Sequence, residues 1–260
     1  HNTINAGIAG KSSESTAIYN YWDSSPNINN NEINGGNGGS SFGIQNSAGS
    51  SPLILNNTIN GGMGRSISYG INSDVGSPII DNNDIDGGIS NYTTGVSTGS
   101  SSQITNNVIY GGLAAYNTTG ISATGNNLSI GRNTIHAGDG GRYSYAIEAG
   151  HGQFKVWENQ INGGGGIDTY GIYSYVDSKI IERNSIYGGY GTNSSCGIYN
   201  SSTTSPSIQN NSIHGGAGTN LSYGINNQDA SAAIIVNNTI FAGSGNIASA
   251  IANTTIYDPV

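Results

Sequence analysis

The sequence is poor in residues that several classes of protein need. Its 260 residues hold one cysteine and only seven lysines and arginines against fifteen aspartates and glutamates, for a net charge of -8. A single cysteine excludes a disulfide framework within the chain, and so few basic residues exclude a positive stripe that follows a phosphate backbone. No apolar run approaches the roughly 20 residues of a membrane-spanning helix. We therefore predict no nucleic-acid partner and no direct membrane span.

A helical pattern is missing as well. No stretch keeps an apolar period of about 3.6 over ten or more residues, and the recurrent apolar positions are β-branched, which favours strands. A hydrophobic fraction of 34%, a charged fraction of 8% and 42 glycines are otherwise typical of disorder. Strict periodicity along the chain argues against disorder and predicts an all-β fold.

One asparagine recurs along the whole chain at intervals of 24 to 29 residues. Its ten members are Asn2, Asn31, Asn57, Asn83, Asn107, Asn133, Asn159, Asn184, Asn211 and Asn238. A period of about 26 residues is typical of solenoids and related repeat arrays. The four-stranded blades of propellers need about 40 to 50 residues, so the repeat is too short for a propeller.

When the ten repeats are aligned on this asparagine, apolar residues fall at three equivalent positions of the repeat. We call each set of equivalent residues a column. An isoleucine follows the asparagine by two positions, a second apolar column such as Ile121 follows 11 to 14 residues later, and a third such as Ile130 closes the unit. A small pair such as Gly35-Gly36 follows the first column, and its second member is glycine in all ten units. That glycine predicts a positive φ at a sharp turn. Each unit therefore predicts three short strands.

Strands of this kind bury their apolar faces only when unit stacks on unit. We therefore predict a three-sided parallel β-helix, or β-solenoid, of about ten coils and about 26 residues per coil, forming one domain over residues 1–260. At about 4.8 Å per coil the rod is roughly 45 to 50 Å long. The chain starts within a repeat and stops within one at Pro259 and Val260, from which we expect a segment of a longer repeat protein.

The motif Pro-x-Ile-x-Asn-Asn-x-Ile-x-Gly-Gly, followed by Tyr-Gly-Ile, stands complete at 206–216 and 223–225. It resembles the right-handed parallel β-helix repeats of pectin-degrading enzymes, alginate epimerases and, above all, repeat regions of bacterial cell-surface proteins. The resemblance implies an inward asparagine ladder in which each amide bonds the next coil. The predicted ladder comprises Asn31, Asn57, Asn83, Asn107, Asn133, Asn159, Asn184, Asn211 and Asn238.

The outward positions supply one candidate binding surface. Tyr173 and Tyr199 fall in adjacent coils of one outward column, beside Glu148 in the same column. They form a candidate sugar-stacking platform or protein contact. The alternative is an exposed aromatic pair that only stabilises the sheet. The residue before each second-column isoleucine is always glycine or alanine. Alternation places it outward, which predicts a bend of the sheet or a second surface packed closely against it.

Cys196 belongs to a column that holds aromatic residues in several other coils. It stands two positions before a core isoleucine, and alternation therefore places it on the inward side. We predict that Cys196 acts as a small buried hydrophobic residue. A reactive thiol is the alternative.

Charged residues give two further patterns. Arg132, Glu158 and Arg183 occupy one slot in consecutive coils, which predicts an outward ion-pair ladder; a clamp for a substrate carboxylate is the alternative. The only acidic cluster is Asp81, Asp84 and Asp86. Calcium needs six to eight oxygen ligands, and the neighbouring columns supply no further carboxylates.

Two histidines, His136 and His214, share a column but lie three coils apart, too far to bind one metal ion, and we expect them at the surface. We predict no metal site and no cofactor.

No complete catalytic signature appears, and the uniform connections offer no insertion to wall a cleft. We predict a structural or adhesive module of a secreted or cell-surface bacterial protein, able to form fibres and without enzyme activity. Its expected partners are neighbouring β-helix copies or flanking domains at the open ends. The alternative is a carbohydrate-binding module or a polysaccharide-active lyase, hydrolase or epimerase, with polysaccharide as the partner.

Overall fold

The computed structural model describes residues 1–99, 101–175, 177, 179–201, 205–228 and 232–254. Pro259 and Val260 lie outside the described residues. The described chain is all-β, and its strands pair in parallel within three sheets, here called A, B and C. Each coil runs through one strand of A, then B, then C. The described residues contain nine coils with all three strands and a tenth with strands in A and B.

The strand bounds show short strands in sheets A and C and long strands in sheet B. Sheet A comprises Asn2–Asn5, Asn31–Asn34, Thr58–Asn60, Asp84–Asp86, Val108–Tyr110, Thr134–His136, Gln160–Asn162, Ser185–Tyr187, Ser212–His214 and Thr239–Phe241. Sheet B comprises Glu14–Asn20, Asn37–Asn46, Met63–Ser73, Ile89–Thr98, Leu113–Ala123, Asp139–Gly140 with Tyr143–Ala149, Gly165–Tyr175, Tyr190–Ser201, Ala217–Gly218 with Leu221–Gln228, and Ile247–Thr254. Sheet C comprises Asn27–Asn29, Leu53–Leu55, Ile79–Asp81, Gln103–Thr105, Leu128–Gly131, Phe154–Trp157, Ile180–Glu182, Ser207–Gln209 and Ile234–Val236.

The pairing register confirms the predicted stacking of equivalent positions. In sheet A, Ile85 lies beside Ile59 on one side and Ile109 on the other. Nine inter-coil steps of about 4.8 Å give a stack of about 43 Å. Chain positions about 26 apart are therefore vertical neighbours.

The core is a single stack of the three predicted columns. Coil 4 contributes Ile85 from sheet A, Val96 from sheet B and Ile104 from sheet C, all fully buried. Each such side chain contributes about 1.5 to 3 kcal/mol. The same three positions are filled coil after coil, which is why so polar a chain has one continuous core.

The predicted asparagine ladder is present and unbroken from coil 1 to coil 10. The Oδ1 atom of Asn133 accepts hydrogen bonds from the backbone N–H and the Nδ2 of Asn107, at 2.9 and 3.0 Å. The Nδ2 of Asn133 donates to Asn159 in the next coil and to the carbonyl of Ile104. The amide bonds therefore join each coil to the next along the inside of the bend between sheets C and A.

Residues with a left-handed backbone conformation mark two bends in nine of the ten coils. Nine of the ten paired-glycine positions have φ between 72° and 100°, as the sequence predicts; Gly7 is the exception. The slot before the ladder asparagine also has φ between 53° and 57° in nine coils, including Arg132, Glu158 and Arg183. Six of these nine residues are asparagine, the type that best tolerates this region after glycine. That enrichment in asparagine is the sequence signal for this bend, which was not among the predictions.

The prediction that the glycine-or-alanine column faces outward is wrong. A Cβ atom at Gly70 would point into the core, 2.6 Å from the Cγ2 of Ile85 in sheet A. Gly120 stands in the same relation to Ile135, at 2.7 Å. The column is small because a core isoleucine packs against its backbone.

Two inward polar columns in sheet B were not predicted from the sequence. Serine or threonine fills one of them in nine coils, and hydroxyls such as that of Ser41 donate to a carbonyl of the paired-glycine turn, here Gly35 at 2.9 Å. The second column lies at the other edge of sheet B and holds asparagines near both ends of the stack. Their amides form a second ladder, in which Asn20 donates to Asn46 at 2.8 Å. Hydroxyl and amide bonds therefore support both edges of the long sheet.

His136 and His214 are half-buried rather than fully exposed, because each caps a turn. The Nδ1 of His136 accepts the backbone N–H of Gly138 at 2.9 Å, the same role that Asn162 plays for Gly164. Burial lowers the pKa of His136, and Asp139 partly opposes this shift. The His136 imidazole therefore takes up a proton less readily in the folded chain than in the unfolded chain.

We expect the His136 cap to contribute stability above pH 6.5 or so that is lost as the pH falls, because protonation of Nδ1 removes the acceptor. The Tm difference between pH 7.5 and pH 5.0 should therefore shrink in His136→Asn, whose amide oxygen accepts at either pH. At pH 7.5 the variant should differ from the wild type by less than about 0.5 kcal/mol. An unchanged difference in Tm would exclude His136 as a pH-sensitive cap.

Candidate functional site

The outer face of sheet B carries an extended group of tyrosines. The column of Cys196, which also contains Tyr69, Tyr145, Tyr170 and Tyr223, faces this side, so the inward prediction for the column is wrong. The reason is the inward glycine column beside it: glycine and the next isoleucine both face the core, and alternation is interrupted. The column before the glycine, which contains Cys196, and the column after the isoleucine, which contains Tyr199, therefore both lie on the outer face of sheet B.

The structure brings the predicted pair Tyr173 and Tyr199 together. Their rings stack with centroids 5.0 Å apart and planes 4° apart. Tyr170 meets both rings edge-on, at 5.2 and 5.7 Å, and stacks on Tyr145 at 5.3 Å. Because the rings contact one another, much of their area is already covered within the cluster.

Glu148 lies at the edge of this cluster, between Ser122 and Tyr173 in its column. Burial raises the pKa of the Glu148 carboxyl, and a hydrogen bond from Ser122 opposes the rise. Burial raises the pKa of Tyr173 too, and the nearby Glu148 charge adds to that rise. The two groups therefore share one poorly solvated environment.

A depression of about 420 Å³ begins where the tyrosine cluster ends. We call it the threonine trough, because Thr94 and Thr119 replace aromatic residues in two consecutive coils and form its floor. Tyr69 stands at one end and Tyr145 with Glu148 at the other. The signal in the sequence is the interruption of an aromatic column by two small residues.

Cys196 is buried although its column faces outward. Its side chain is 3% exposed, its Sγ lies 3.2 Å from the carbonyl of Ile198, and tyrosines occupy the same column in both neighbouring coils. Burial strongly raises the pKa of the thiol. The predicted buried character is confirmed, on a different face from the predicted one.

We expect Cys196 to resist a disulfide thiol reagent in the native protein, because the thiolate is the reactive form and the side chain is inaccessible. In denaturing guanidinium the one thiol per chain should react completely. The absorbance of the thiol that the reagent releases measures the labelling rate of the native and of the denatured protein. Rapid labelling of the native protein would contradict the burial of Cys196.

The predicted ion-pair ladder forms only in part. Glu158 and Arg183 pair at 3.2 Å, as predicted. In the described structure Arg132 lies instead over the ring of Trp157, 5.0 Å from its centroid. Glu182, outside the predicted slot, pairs with both Lys155 and Arg183.

The acidic residues of coil 4 do not converge on one point. Asp86 accepts the N–H of Gly88 through its side chain, and Asp81 accepts hydrogen bonds from Thr105 and Asn106. Across the part of the chain that the structure describes, no group of three or more His, Cys, Asp or Glu residues is placed to hold a metal ion.

One buried cation was not predicted. Lys179 is 1% exposed, and its Nζ donates to the carbonyl of Gly150 at 2.6 Å beside the ring of Phe154. Burial lowers the pKa of Lys179 to about 8. Lys179 stands two positions before the third-column Ile181, in the column of buried Leu128 and Phe154, and this position in the repeat is the sequence signal for its burial.

Comparisons of this chain with protein-family models, curated proteins and solved structures find no significant match. Within the described residues, no helix is both long and apolar enough to cross a membrane.

Proposed function

We propose that this chain is a structural or adhesive module of a secreted or cell-surface protein, a stiff solenoid that serves as part of a rod or fibre. The observation that carries the proposal is the unbroken amide ladder, which joins every coil from Asn2 to Asn238. Each described coil is bonded to the next by a ladder amide and by sheets A and B, and sheet C joins the first nine coils as well. Such a chain resists bending and stretching along its whole length.

The regular connections support the same proposal. The links between the first and second apolar columns differ by at most three residues, from 11 to 14. Binding clefts on solenoids are usually walled by longer insertions on one face. Connections of nearly uniform length suit a spacer or a repeated contact better than they suit an enclosed reaction site.

A polysaccharide screen tests the proposal against enzyme activity. Purified protein is incubated with acidic and neutral polysaccharides, and reducing ends and unsaturated products are measured. We expect no turnover above a buffer control, and turnover of any substrate would overturn the structural assignment. Electron micrographs of the same samples should show rods, with filaments that lengthen as the protein concentration rises; unchanging single particles would remove the fibre component of the proposal.

A further inference from the structure

We propose that the threonine trough binds an uncharged saccharide of about two hexose units. The proposal goes beyond the structural role above and does not depend on it. It rests on three features of the trough: two ring faces at its ends, unengaged polar groups on its floor, and the charge of its lining.

The end walls are aromatic rings held in place from behind. Tyr69 stacks on Phe42 with centroids 5.5 Å apart and planes 6° apart, and Tyr145 stacks on Tyr170 at 5.3 Å and 15°. Each supporting ring lies on the side away from the trough, so the opposite faces of Tyr69 and Tyr145 are directed towards coils 4 and 5. Ring faces of this kind pack against the apolar C–H face of a sugar ring.

The spacing of the walls sets the size of the ligand. Tyr69 and Tyr145 stand three coils apart, which is about 14 Å. Thr94 and Thr119 are the residues of the same column between them. The volume of about 420 Å³ lies in the range of about 300 to 1,000 Å³ that is usual for small-molecule sites. Two hexose rings, each parallel to the tyrosine ring beside it, therefore fit between the end walls.

The floor and one side offer polar groups that no described residue bonds. The hydroxyls of Thr94, Ser97 and Thr119 and the amide of Asn117 line the trough and make no hydrogen bond to another residue that the structure describes. These groups donate and accept, as sugar hydroxyls do. The aromatic ends of the trough match the apolar C–H faces of a sugar ring, and the hydroxyls of its floor match the hydroxyl groups around the edge of that ring.

The charge of the lining selects an uncharged ligand. Glu148 is the one charged side chain among the described residues that line the trough, and no lysine or arginine lines it. A uronic acid or a sulfated sugar would bring a second negative charge beside a poorly solvated carboxyl, which is unfavourable. A neutral sugar hydroxyl instead donates a hydrogen bond to Glu148.

The variant Thr119→Tyr fills the trough while following the pattern of the fold, because its column already holds tyrosine in four other coils. The matched control is Thr16→Tyr, the same substitution in the same column at coil 1. Saturation-transfer NMR is measured with cellobiose, maltose and lactose. We expect transfer to the C–H protons of at least one sugar in the wild type and in Thr16→Tyr, and at least tenfold weaker binding in Thr119→Tyr.

Three results would overturn the proposal: no transfer to any of the three sugars in the wild type, equal transfer in Thr119→Tyr, or equally strong binding of a disaccharide that contains glucuronic acid. Circular dichroism and Tm confirm that both variants fold. Because Thr119→Tyr leaves the amide ladder intact, loss of sugar binding in a stable rod is distinguishable from failure of the structural proposal.

Discussion

Replacing Asn133 with alanine is expected to lower the free energy of unfolding by about 3 to 5 kcal/mol. The substitution removes the acceptor of the buried N–H of Asn107 and the donor to the carbonyl of Ile104. Each backbone group left unpaired in the core costs about 1 to 3 kcal/mol. Equilibrium unfolding in urea, followed by far-UV circular dichroism, measures the change.

The matched control for Asn133→Ala is Asn72→Ala on the outer face of sheet B. Asn72 makes only a 3.3 Å contact with Asp74, and its column holds Ala252 in coil 10. We expect this control to change the free energy of unfolding by less than about 0.5 kcal/mol. Equal losses in the two variants would mean that the ladder amides stabilise the fold no more than surface amides do.

Replacing Gly112 with alanine is expected to destabilise the protein by about 2 to 5 kcal/mol, because two costs combine. The φ of Gly112 is 100°, a conformation that residues with a Cβ atom rarely adopt. A Cβ atom there would also overlap the carbonyl oxygen of Gly88 in the coil below. The overlap involves backbone on both sides, so a change of side-chain rotamer cannot relieve it. Urea unfolding again measures the loss.

The control for Gly112→Ala is Gly7→Ala, the equivalent position of coil 1. Gly7 lacks the positive φ of the other nine paired glycines, and no atom within 4 Å would meet its Cβ. Alanine at Gly7 should be nearly neutral. A loss at Gly7 as large as that at Gly112 would show that the stacked turn does not impose the requirement for glycine.

Repetition explains why the sequence predicts the fold well. The asparagine of the ladder, the paired glycine and the three apolar columns each recur in nine or ten coils for one structural reason, so alignment of the chain with itself reveals them. The register of Ile59, Ile85 and Ile109 follows directly from that alignment.

Features that depend on a departure from the repeat were harder to predict. The strand rule of strict alternation placed Cys196 inward and Gly70 outward, and both placements fail because sheet B packs its glycine column against isoleucines of sheet A. Arg132 leaves the predicted ion-pair ladder because Trp157 offers its ring. Lys179 puts a charged side chain in the inward column of Leu128 and Phe154, where the repeat otherwise has no charge, and the carbonyl of Gly150 accepts a hydrogen bond from it. The threonine trough likewise becomes visible only when the aromatic column is known to face outward.

The most direct test of the stacking uses pulsed electron spin resonance on pairs of nitroxide labels in a Cys196→Ser background. One label replaces Glu32, and the second replaces Thr134, Gln160 or Ser212, all exposed positions of one sheet A column. Steps of about 4.8 Å predict label separations of about 19, 24 and 34 Å, a constant increment for each coil of about 26 residues. Separations that fail to increase with coil number, as for blades arranged around an axis, would contradict the solenoid.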